Sequence, residues 1–167
     1  MIGLLYVRRL TLLLLALALC DCQSKQHSGS INTLPDFERS SFYQSHNLKT
    51  KDRWKLKNGN YANTFGVSSD PNISVEVETN GNSVIGFGLV FYKRDELGQR
   101  DLGLIHSLLE SLDASIKPDS GIKEYLKANA EKSVFQIKQA EPRAFGKFKV
   151  YAGKVGEQQT ISIDRDA

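Results

Sequence analysis

Ile73, Val75 and Val77 alternate with Ser74, Glu76 and Glu78, a period of two that predicts a half-buried strand. Asn80-Gly81 follows directly and predicts a hairpin, because both residue types tolerate the positive φ of a tight turn. The return strand is expected over Ser83 to Tyr92, with Ile85, Phe87, Leu89 and Phe91 sharing the core face and Gly86, Gly88, Val90 and Tyr92 the other. Glycines on that second face predict close approach by a neighbour, or a twisted, bulged strand. Upstream, Asp52 to Lys57 alternates, Trp54 and Leu56 against Arg53, Lys55 and Lys57, before the turn Asn58-Gly59-Asn60. Downstream, Phe148, Val150 and Ala152 alternate with Lys147, Lys149 and Tyr151. Gly156-Glu157 then turns the chain into a closing strand, Thr160 to Arg165, with Ile161 and Ile163 on one face.

Between these strands the period changes. Leu102, Ile105, Leu108, Leu109 and Leu112 recur at helical spacing, with Asp101 as the expected N-cap and the helix ending near Ala114. Lys117-Pro118-Asp119-Ser120-Gly121 breaks the chain. Asp119 or Ser120 is expected to cap a second helix carrying Ile122, Tyr125, Leu126 and Ala130. Residues 134–138 fit either period; Ser133-Val134-Phe135 is poor helix material, which favours a strand. Thr33 and Asp36 are spaced to cap a short helix bearing Leu34 and Phe37, but the periodicity does not persist. Strands and helices segregated in this way predict an α+β fold: an antiparallel sheet of four to six strands with two helices packed on one face.

The first residues read as an address. Arg8-Arg9 precedes the apolar run Leu10 to Leu19, as in a secretory signal peptide, and that run is shorter than the roughly 20 residues a membrane span needs. Leu17-Ala18-Leu19-Cys20 resembles the lipobox of bacterial lipoproteins, with Leu19 standing where that family prefers Gly, Ala or Ser. The resemblance implies that Cys20 is acylated and becomes the first residue, followed by Asp21. Ala16-Leu17-Ala18 is the alternative, an A-x-A site for ordinary signal peptidase. The expected organisation is a lipoprotein-like signal peptide over 1–20, a flexible tether with a short helix over 21–48, and a single α+β domain over 49–167.

Composition sharpens this organisation. The chain has 167 residues, 40% hydrophobic and 25% charged, close to the globular average. Its only cysteines are Cys20 and Cys22, so the folded region has no thiol chemistry, no disulfide and no cysteine-ligated zinc. The formal charge of +3 includes Arg8 and Arg9, and without them the rest of the chain is nearly neutral.

Candidate chemistry is local. Lys49, Lys51, Arg53, Lys55 and Lys57 occupy every second position and would form one cationic stripe in an extended strand, with Trp54 anchoring the other side. Lys147, Lys149 and Lys154 form a second basic group. Together they suggest an anionic partner, either an envelope polymer, a lipid surface or an acidic protein patch. Lysines protecting an edge strand are the structural alternative. Glu76 and Glu78, two apart on one strand face, have the residue types of a hydrolytic acid pair. His27, His46 and His106 are scattered, and no metal or cofactor motif is present. Export argues against nucleic acid. The expected function is that of an exported, lipid-anchored envelope protein, facing the periplasm or the outside, that binds another envelope protein or an anionic surface. The alternatives are a small carboxylate hydrolase or an inhibitor or immunity-type lipoprotein.

Overall fold

The structure, a computed structural model, describes residues 30–117 and 121–165. The signal peptide, Cys20, Cys22 and the expected cap at Asp119 or Ser120 lie outside them. The fold is α+β, as the pattern implies, but the sheet is larger than four to six strands. Its eight strands are β1 (Leu48–Lys55), β2 (Tyr61–Val67), β3 (Asp70–Asn80), β4 (Ser83–Phe91), β5 (Ser133–Val134), β6 (Arg143–Phe145), β7 (Phe148–Val155) and β8 (Gln158–Arg165). They run in the order β1-β2-β3-β4-β8-β7-β5, with β6 also on β7. Every pairing is antiparallel except that of β5 with β7.

Four helices contribute to the core, not two: α1 (Leu34–Arg39), α2 (Ser41–Ser45), α3 (Gln99–Leu112) and α4 (Ile122–Asn129). Helix α3 begins earlier than expected. Gly98 is its N-cap, and Asp101 acts from the third helical position, where its carboxylate accepts the Gly98 N–H at 3.0 Å. The ambiguous stretch after α4 divides between both readings. Ser133–Val134 is a short strand, and Ile137–Gln139 is a single 3₁₀ turn.

The additional long strand is β2. Its alternation is masked because Asn63, on the core-facing side, interrupts the apolar series. The Asn63 amide donates to Val77 O at 3.0 Å and to Thr79 Oγ1 at 3.2 Å, which permits its burial. One core row runs through five strands, Phe65, Val75, Leu89, Ile161 and Ala152, each directly opposite the next and at most 1% exposed.

The expected tether is shorter than read. Ile31, Phe37, Phe42 and Leu48 are all buried in the main core. Thr33 and Asp36 close a reciprocal capping box at the start of α1. Phe37 packs its ring 5.3 Å from that of Phe65 and 5.9 Å from that of Phe87. Ser40 ends α1 and caps α2, so two helices of six and five residues replace one periodic run. That break is why the helical period fades in the sequence.

Two β-bulges alter which face side chains occupy. Opposite Thr79 and Glu78, the pairing passes from Val84 to Gly86, leaving Ile85 as the extra residue. Val84 takes the core position at 4% exposure, and Ile85 is 38% exposed instead of joining Phe87, Leu89 and Phe91. In β1 the pairing passes from Thr50 to Asp52, and Lys51 is the extra residue.

Phe37→Ala is expected to destabilise the protein by about 3–5 kcal/mol, the usual cost of emptying a buried aromatic site. Urea unfolding followed by tryptophan fluorescence measures it, and an unchanged midpoint would mean that residues 31–48 are a tether after all.

Candidate functional site

The helices lie on one face of the sheet and leave the other without a helical layer. Between the two core rows of each strand runs a row that faces away from the helices: Thr64 on β2, Glu76 on β3, Gly88 on β4, Ser162 on β8 and Tyr151 on β7, each opposite the next. The row beside it contains Trp54, Ala62, Glu78, Gly86, Asp164 and Lys149 in the same manner. The floor of this open face is short or absent in side chain at Ala62, Thr64, Gly86, Gly88 and Ser162, with Glu76 and Glu78 standing among them on β3, Val90 on β4 and Asp164 on β8.

Two lysines reach inward over that floor from opposite sides. Lys51, the bulge residue, lies across Gly66, where any Cβ would collide with its stem, and its ammonium donates to Ser74 Oγ at 3.3 Å. Lys138, on the 3₁₀ turn, donates to Ser162 Oγ at 2.9 Å, pairs with Asp164 and sits 4.6 Å from the Tyr151 ring centre. Its segment rests on the open face through Val134 Cγ2 and Ile137 Cδ1, which approach Gly153. We call the strip of sheet between these two lysines the trough.

Glu76 lies in the middle of the trough. A Cβ on Gly88 would stand 3.4 Å from Glu76 Cβ and 3.6 Å from Oε2, so the glycine lets the carboxyl lie flat over β4. Glu76 has no hydrogen-bond or ion-pair partner among the described residues, and burial pushes its carboxyl above the ordinary glutamate range. Directly across on β2, Thr64 is 7% exposed and its Oγ1 is buried with no hydrogen-bond partner. A hydroxyl removed from water and left unsatisfied, which costs stability, thus stands beside a part-buried carboxyl that has no partner within the described chain.

The residues singled out in the sequence are dispersed by the fold. The bulge at Lys51 divides the cationic stripe: Lys49 and Lys51 face the trough side, whereas Arg53 and Lys55 face the helix side, Arg53 stacking 4.4 Å from the Tyr61 ring centre. Lys57 lies in the following turn. Trp54 is on the trough side and 40% exposed. Lys147 and Lys149 belong to the far end of the sheet, where five strand steps, roughly 24 Å, separate β7 from β1. The two glutamates also part company, since Glu78 accepts from the side-chain amides of Asn58 at 3.1 Å and Asn60 at 2.7 Å. Thr64, Ser74, Lys138 and Ser162 escaped sequence reasoning, because hydroxyls and a loop lysine carry no spacing signal. The glycines of β4 were the only hint that something lay across that strand.

A second concavity of about 840 Å³ opens between α1, α2 and α3, lined among others by Ser40, Ser45, Ser107, Ser111 and Lys147. At its side His46 Nε2 is 3.2 Å from Ser107 Oγ, and burial holds the imidazole below the usual histidine range. The pair has the reach of a nucleophile and base. Ser107 nevertheless lies well inside α3, where the neighbouring N–H groups are bonded within the helix and cannot steady an oxyanion. Of the carboxylates lining this cleft, Asp36 is held by Thr33 and Arg39 and Asp113 by Ser115, while Glu110 is largely exposed, 3.9 Å from His106 Nδ1.

Among the described residues no group of three or more His, Cys, Asp or Glu is placed to hold a metal ion, and no helix is long and apolar enough to cross a membrane. A comparison of the chain with protein-family models, with curated proteins and with solved structures finds no match in any of the three.

Glu76→Gln is expected to raise stability at neutral pH. A glutamate raised on folding binds its proton more tightly in the native state, so ionisation penalises the fold above the raised pKa. The gain from Gln therefore fades as pH falls through that value towards the ordinary glutamate range. Melting temperatures of both proteins at pH 7.5 and pH 4 test this; a gain that is absent at pH 7.5, or equal at both, would contradict it.

Proposed function

We propose that this chain is an exported, lipid-anchored envelope protein that acts as a binding module and holds its partner on the open face of its sheet. Export and anchoring rest on Arg8-Arg9, the apolar run to Leu19 and the lipobox resemblance ending at Cys20. Acylation there would leave ten residues, 21–30, before the first core side chain, a reach of at most roughly 36 Å. The domain would stay close to the bilayer.

The observation that carries the binding reading is the pair at the centre of the trough, an unpartnered Glu76 carboxyl beside the orphaned Thr64 hydroxyl. Buried polar groups are ordinarily satisfied, and a site that must receive a ligand is a physical reason to leave the Thr64 hydroxyl open beside a part-buried carboxyl. The cations at 49–55 do not make one anion-binding stripe, because they point to both faces of the sheet.

Two measurements test the proposal. Mass spectrometry of the mature chain from a bacterial host should find a diacylglyceryl group on Cys20, and Cys20→Ser should move the protein from the membrane to the soluble fraction. A free amino terminus near Leu19 would end the lipoprotein reading. Capture experiments with the full chain on envelope extract should lose their bound material, by tenfold or more, when Thr64→Val and Glu76→Ala are combined. Undiminished capture would move the binding surface elsewhere.

A further inference from the structure

We infer that the trough across β2, β3, β4 and β8 takes a neutral, hydroxyl-rich glycan chain, with Glu76 and Thr64 as its central hydrogen-bonding groups. This rests on the binding reading above and names the chemistry of the ligand.

The argument is one of complementarity. Other ligand classes meet opposition from groups already in place. An anionic polymer would lie against the Glu76 carboxyl on a face whose charges balance, Lys49, Lys51, Lys138 and Lys149 against Asp52, Glu76, Glu78 and Asp164, and Lys51 and Lys138 are already engaged with Ser74, and with Ser162 and Asp164. A cationic ligand would lie between those same two ammonium groups. An apolar ligand would leave Thr64 Oγ1 without a partner and would take the part-exposed Glu76 carboxyl out of water without bonding it.

Sugar hydroxyls fit because each can donate and accept. One hydroxyl can donate to Glu76 while its oxygen, or that of a neighbour, accepts from Thr64. The hydroxyls of Ser74 and Ser162 each accept from a lysine and keep their own protons to donate. The shape agrees as well. Gly88 and Gly86 put no side chain of their own on the β4 floor, and Ala62, Thr64, Ser74 and Ser162 are all short. Trp54, on the open face of β1 and 40% exposed, offers an apolar ring face at one end. From β1 to β7 the floor extends roughly 24 Å, so it suits a chain of several rings better than one sugar.

The test is direct binding by the full chain in detergent, read by isothermal titration calorimetry and by amide chemical shifts. The neutral probes are soluble tetramers of β-1,4-linked N-acetylglucosamine, β-1,4-linked glucose and α-1,4-linked glucose; the acidic probe is a tetramer of galacturonate. At least one neutral tetramer should bind saturably, shifting the amides of Thr64, Glu76 and Gly88. Its affinity should fall tenfold or more in Glu76→Ala, in Thr64→Val and in Trp54→Ala, and fall less in Glu76→Gln, whose amide can still bond a hydroxyl. Circular dichroism melts confirm that each variant is folded; should Glu76→Ala fail to fold, Thr64→Val decides, being of nearly the same shape. Failure of all three neutral probes, preference for the acidic one, or indifference to Glu76 and Thr64 overturns the inference. If trough variants abolish capture from envelope extract while no neutral tetramer binds, the glycan falls and the binding surface stands. If neither effect is seen, both fall.

Discussion

Burial of the row Phe65, Val75, Leu89, Ile161 and Ala152 sets the register of the central sheet. A slip of one residue in any of these strands would turn its apolar set towards the uncovered face, so the helices above the row hold all five strands in step. The short helices α1 and α2 belong to the same constraint through Phe37 and Phe42, which extend the core beyond the part of the chain that looks regular. What faces away from the helices follows from this. Once the core rows are fixed, Thr64, Glu76, Gly88 and Ser162 must line up on the other side.

That opposite row is where the structure leaves polar groups without partners. Glu76 is raised by burial and Thr64 Oγ1 lacks a partner, although Ser74 and Ser162 beside them are both bonded by lysines. The Ser107–His46 contact beside the helical cleft is a closer match to a catalytic pair by distance alone, but it lacks free donors for a developing negative charge.

Much of the fold was legible in the residues. The strand from Ile73 to Val77, the apolar set Phe87, Leu89 and Phe91, the amphipathic helix through Leu102 to Leu112 and the closing hairpin at Gly156-Glu157 all stand where their periods place them. The Thr33–Asp36 capping box is present too. The glycines of β4 were correctly read as marking close approach, by Glu76 over Gly88 and by Asp164 near Gly86. Strand β2 was missed because Asn63 occupies a core position with partners that only other strands supply. The site was less legible still, since three of its members are hydroxyl residues with no periodicity of their own.

The sequence by itself determined the local elements, because period, capping and turn chemistry act within a few residues of the chain. It also determined the near-neutral composition beyond Arg9 and the absence of cysteine after Cys22. Only the tertiary structure decided which face each side chain occupies. An extra residue at Lys51 divides four of the five alternate cations between two faces, and another at Ile85 removes a large apolar side chain from the core. A bulge is a relation between two paired strands, two residues opposing one, and an alternating pattern read along one strand cannot reveal it. The environment of Glu76 arises in the same way, from Thr64 on one neighbouring strand and Gly88 on the other.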